Sequence, residues 1–114
     1  GSGSSMQTNA RFDTITSAQL NTWANLFAAG LDLHSPQISP LFADLEGLPP
    51  MYIQAGDAEV LIDQIRDFAS RAHHAGVSVR LNTWSGMNHD FQVFGGYTRA
   101  SREALTRIAE TFQK

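Results

Sequence analysis

Hydrophobic residues change their period along this chain, and each change marks an element. Leu20, Trp23, Ala24, Phe27 and Leu31 recur at helical spacing behind candidate caps at Thr14 to Ser17. They predict a helix over about 17–29, ended by Gly30. Residues 32–50 hold all four prolines and predict a long connector, with a short helical turn near Leu41 to Leu45. Met51-Tyr52-Ile53-Gln54-Ala55, bounded by Pro50 and Gly56, predicts a strand over about 51–55. Val60, Leu61, Ile65, Phe68, Ala69 and Ala72 form a helical stripe over about 60–75, closed by Gly76. Val77, Val79, Leu81 and Thr83 then alternate with Ser78, Arg80 and Asn82, the period of a strand over 77–83. Ala104, Leu105, Ile108, Ala109 and Phe112 share one face of a helix over about 97–113.

A strand–helix–strand–helix order predicts an α/β fold with two parallel strands and about three helices. The crossover between Ala55 and Val77 is long enough for a parallel connection. Parallel sheets are normally covered on both faces. Two strands with three helices should leave a backbone edge and an apolar face open. The expected cover is a missing partner segment, a second copy of the chain in a homo-oligomer that could arise by domain swapping, or an aggregate.

Composition narrows the classes. With 114 residues the chain is one domain at most. Gly1 to Ser5 reads as a cloning remnant, leaving 6–114 as a single subdomain. The net charge of −3 and scattered basic residues argue against a nucleic-acid surface, which needs a basic stripe. The absence of cysteine excludes disulfides and thiolate metal sites. No apolar run reaches the roughly 20 residues of a membrane span, and no secretory apolar region follows the N-terminus. A cytoplasmic protein is the default expectation.

Chemistry gathers at the carboxyl ends of strands in an open α/β sheet. The loop after the first strand offers Asp57, Glu59 and Asp63; the loop after the second offers His89 and Asp90. Parallel neighbours lie about 4.8 Å apart, so a carboxylate can reach the imidazole. It would fix the tautomer and stabilise the imidazolium, leaving the other nitrogen as general base. Such a pair needs a nucleophile to act on.

The ordered segments Ser39-Pro40-Leu41-Phe42-Ala43-Asp44-Leu45, Gly47-Leu48-Pro49-Pro50, Ile53 to Asp63, Ala75-Gly76-Val77 and Trp84-Ser85-Gly86-Met87-Asn88-His89 closely resemble the C-terminal part of bacterial hormone-sensitive-lipase-like (family IV) carboxylesterases. The resemblance runs from about Phe12 to the C-terminus. It implies an α/β-hydrolase fold and hydrolysis of short-chain carboxylic esters by a Ser-acid-His triad, with no metal or other cofactor. His89 matches the triad histidine. Glu59 matches the acid of an E-V-L-x-D segment, with Asp57 the second choice and Asp63 the second carboxylate. Met87 and Phe91 flank His89, where they could contact substrate in an intact enzyme or simply anchor the loop.

The departure from the family is equally specific. Its H-G-G-G oxyanion segment and its G-D-S-A-G or G-T-S-A-G elbow are absent from these 114 residues. Acyl transfer needs both. The chain alone is therefore expected to be inactive, and a small ester is its substrate only once it is completed by the missing N-terminal hydrolase half that the resemblance implies. The alternatives are a non-enzymatic, self-associating remnant or one half of a split esterase.

Plainer roles stand beside these. Glu59 in a first helical turn gains about 0.3–1 kcal/mol from the helix dipole alone. Asp63 can simply brace its loop. Trp23 and Phe27 can line an acyl pocket, but an apolar helical stripe is more often core. His73 and His74, adjacent on a helix, diverge too much for a metal pair. His34 is expected in solvent.

Overall fold

The computed structural model describes residues 2–113. The chain runs through α1 (Ser5–Thr8), α2 (Ser17–Ala28), a short 3-10 turn at Pro40–Phe42, β1 (Met51–Gly56), α3 (Ile62–His74), β2 (Val79–Trp84), a second 3-10 turn at Phe91–Phe94, and α4 (Arg99–Phe112). The strands pair in parallel, with Met51 opposite Val79 and Gly56 opposite Trp84. The expected α/β fold with two parallel strands is the architecture observed.

Strand alternation sends successive side chains to opposite faces, and each face takes one helix. Met51 and Val79 pack with Phe68 on a cluster of Leu45, Ala72 and Val77, which seats α3. The opposite face is polar. Tyr52 donates to Asn82 at 3.3 Å, and the Gln54 amide donates to the Ala104 carbonyl of α4 at 3.0 Å. Arg107 of α4 lies over the Trp84 ring at 5.0 Å.

Local chemistry sets the boundaries. Thr16 and Gln19 form a reciprocal capping box at α2: the Thr16 hydroxyl accepts from the Gln19 amide, and the Gln19 side chain accepts from Thr16 N–H. Thr98 caps α4 by accepting from Ser101 N–H at 3.1 Å, so that helix starts at Arg99 rather than 97. The second strand starts at Val79, two residues later than its apolar pattern predicts. Val77 N–H is used to close α3 on Ala72 O, and Gly76 takes φ +83° in that closure. Residues 57–61 form turns before α3, which shifts its start from 60 to Ile62.

Two expectations about packing change. The stripe on α2 is not core: Trp23 is 50% exposed and Phe27 is 72% exposed, with Leu26 and Leu31 also open. Among the described residues the sheet has two strands, too narrow to cover that helix. Ser5, inside the stretch read as a cloning remnant, is buried and begins α1. The Phe91–Phe94 turn has no periodic signal in four residues, yet Phe91 is fully buried and stacks on Trp84 at 5.6 Å.

Candidate active site

Both chemistry-bearing loops leave the same end of the sheet and are stitched together through their backbones. Asp57 N–H donates to Trp84 O at 3.0 Å, and Ala58 N–H donates to Met87 O at 3.0 Å. The Asp57 carboxylate accepts from Gly86 N–H. Gly56 lies directly under this seam: a Cβ there would run into the Met87 carbonyl and crowd Asn88 O.

Within that frame Glu59 turns back to the strand end. One carboxylate oxygen accepts from Gly56 N–H at 2.9 Å, and the other lies 3.4 Å from His89 Nδ1. The Glu59 side chain is 3% exposed and that of His89 is 29% exposed. A carboxylate only accepts, so Nδ1 carries the proton. Nε2 points away from Glu59 and lies 3.4 Å from the carboxylate of Asp90, which is 79% exposed. The His89 pKa is raised, first by its hydrogen bond to Glu59 and then by the negative charges of Asp90, Glu59 and Asp13; partial burial opposes them.

The other candidates occupy distinct places. Asp57 holds the turn at Gly86 and is not the carboxylate on His89 Nδ1. Asp63 opens α3, where it accepts from Ser5 N–H at 2.9 Å and from the Ser4 hydroxyl at 3.2 Å. These bonds hold its carboxyl below the usual range. Met87 contributes its carbonyl to the loop seam, and Phe91 is buried beneath the histidine loop rather than open to a ligand.

One participant carries no motif legible in advance. Asp13, between α1 and α2, accepts from Val60 N–H at 2.7 Å and from His89 N–H at 3.0 Å. Asn9 donates from one amide to both Asp57 O and Glu59 O, at 3.1 and 2.9 Å. A Ser5–Asn9–Asp13 spacing of four was the available signal, but it falls in a segment without hydrophobic periodicity.

Comparison with known proteins bears on the fold and the family. The family model for the alpha/beta hydrolase fold matches residues 2–93. An esterase of Acinetobacter venetianus is 41% identical over 75 residues, covering 66% of this chain and 25% of that protein. An acetyl-hydrolase of Streptomyces hygroscopicus is 40% identical over 96 residues, covering 84% of this chain and 32% of that protein. The crystal structure of an esterase from the bacterial hormone-sensitive lipase family superposes with a TM-score of 0.93 at 37% identity, over 96% of this chain and 37% of that one. A hormone-sensitive lipase from a metagenome library gives a TM-score of 0.93 at 35% identity, over 98% and 39%. The chain thus spans about a quarter to a third of these curated relatives.

Proposed function

We propose a function that proceeds from one fact: this chain belongs to the alpha/beta hydrolase fold family, among its hormone-sensitive-lipase-like members. It is the acid-and-histidine part of a serine carboxylesterase, and the serine and oxyanion donors come from polypeptide outside these 114 residues. The observation that carries this reading is the buried Glu59 carboxylate on His89 Nδ1, at the carboxyl ends of two parallel strands.

In the completed enzyme His89 Nε2 takes the serine proton as the hydroxyl attacks the ester carbonyl. It returns that proton to the departing alkoxide, and Glu59 stabilises the imidazolium in between. Water then attacks the acyl-enzyme by the same route, releasing the carboxylic acid. Asp90 must leave Nε2 for the serine to approach, and its exposed side chain is free to do so.

Hydrolysis of p-nitrophenyl butyrate tests the reading, with the chain alone and mixed with a separately expressed serine-bearing portion of an esterase of this family. A fluorophosphonate probe reports on the nucleophile. We expect no turnover and no labelling of the chain alone. In the mixture we expect turnover that vanishes with His89→Ala, and labelling on the serine-bearing portion. Turnover by the chain alone, with a labelled serine in it, would overturn the proposal.

A second reading rests on the open apolar patch of Trp23, Leu26 and Phe27 on α2, with Leu31 just beyond it. Apolar exposure of this kind favours self-association. A discrete homo-oligomer by light scattering, with no activity after mixing, would favour the self-associating module over the esterase part.

A further inference from the structure

The segment ahead of α2 contacts both loops of the site through hydrogen bonds to their backbones. Three polar residues at intervals of four address the acid loop. The Ser5 hydroxyl donates to Val60 O at 2.7 Å and accepts from Asp63 N–H at 3.3 Å. Asn9 holds the carbonyls of Asp57 and Glu59. Asp13 binds the amide that follows Glu59 and the amide of His89 itself. Six backbone groups on two loops are therefore fixed from one side, and all lie within four residues of the acid or on the histidine. We propose that Ser5, Asn9 and Asp13 form a clamp that positions Glu59 against His89, with Asp13 the member that sets their separation. The proposal rests on the acid–histidine reading above.

Asp13 is suited to this role by chemistry as well as place. Its two oxygens accept from two loops that are 29 residues apart in sequence at Val60 and His89, so one planar group fixes the distance between them. A third bond, from Thr14 N–H to the oxygen that binds His89, fixes the carboxylate's own orientation. Charge-assisted bonds to backbone amides are shorter and stronger than neutral ones. No atom of Asp13 bonds the imidazole, so it acts through the two loops as a positioning residue. Asparagine cannot replace it, since one of its two heads is a donor and would face an N–H.

The test is the proton on His89 Nδ1, read by NMR in the chain as it stands, together with amide exchange at Val60 and His89. In the wild type the Nδ1 proton should be protected from water and shifted far downfield by Glu59. Asp13→Asn and Asp13→Ala should shift it upfield and broaden it by exchange, and should speed exchange of both amides. Two controls separate positioning from charge and from general loss of stability. Asp90→Asn removes a neighbouring charge and should move the His89 titration while leaving the Nδ1 proton protected. Thr98→Ala removes the α4 cap and should lower the thermal midpoint without moving the Nδ1 resonance. If both Asp13 variants keep the wild-type resonance and exchange rates, the clamp is wrong. If they do not fold, Asn9→Ala decides: an unchanged Nδ1 signal overturns the clamp, and a partial loss supports it. Glu59→Gln distinguishes the two proposals, because a wild-type Nδ1 resonance in that variant would sink the acid–histidine reading itself.

Discussion

His89 Nε2 lies 3.4 Å from Oδ2 of Asp90, its own neighbour in the chain, while Nδ1 faces Glu59 at the same distance on the other side. Both ring nitrogens point at acceptors, and only the doubly protonated imidazolium satisfies both. Asp90 adopts a left-handed conformation, with φ 53°, and its carboxylate faces the ring. Replacing it should lower the His89 pKa, because the lost charge favoured protonation. NMR titration of the imidazole in wild type and Asp90→Asn measures this; an equal or higher value in the variant would remove Asp90 from the site.

The raised His89 pKa also links folding to pH. A group with a higher pKa in the folded state adds stability that is complete below its unfolded value, about 6.5. That stability disappears as pH rises through the folded value. Urea unfolding at pH 5.5 and 8.5 should therefore show a larger stability gap between wild type and His89→Asn at the lower pH. A gap that widens with rising pH would contradict the sign.

Glu59 is the most deeply buried charged residue in the site. Its loss strands Gly56 N–H and the histidine together. Glu59→Ala should cost about 2–4 kcal/mol, the range for breaking a buried, hydrogen-bonded charge. Glu59→Gln keeps an acceptor for Gly56 and should cost less. Denaturant midpoints of the two variants compare them directly, and a milder effect for Ala would argue against the buried bond.

Asp63 works in the opposite pH range. Its bonds to Ser5 N–H and Ser4 depress its pKa, so its stabilisation is present above the unfolded value near 3.9 and fades as pH falls through the folded one. Asp63→Asn should cost about 0.5–1 kcal/mol at pH 7, below the usual range for hydrogen bonds to charged groups because solvent screens this partly exposed carboxylate. The deficit should shrink by pH 3. Thermal unfolding across that range checks both the size and the trend.

Much of this molecule is legible from side-chain periodicity because its elements are amphipathic. The apolar stripe of α3 and the alternation of β2 report the faces they bury, and both loops follow where strands must end. The stripe of α2 is as regular, yet Trp23 and Phe27 stand open. Periodicity records a face made for burial, not whether a partner is present to bury it. That Glu59 and His89 would meet was readable because their loops carry ordered motifs at neighbouring strand ends. The contacts of Asp13 and Asn9 were not, because they act on backbone amides and carbonyls of distant segments, and those groups leave no mark in the order of side chains. Ser5 lies in the stretch read as a cloning remnant, and nothing in Gly-Ser-Gly-Ser-Ser announces that its hydroxyl makes a buried bond to Val60 O.

Gly56 turns the spacing of the site into a matter of subtraction. The strand end and the Met87–Asn88 carbonyls meet across a gap sized for a hydrogen atom. Any side chain at 56 would act as a wedge at the root of both loops, moving Glu59 and His89 apart without touching either. The Glu59–His89 pair is thus held to its distance at a position with no side chain at all, and a single added methyl there would push the two loops apart at their root.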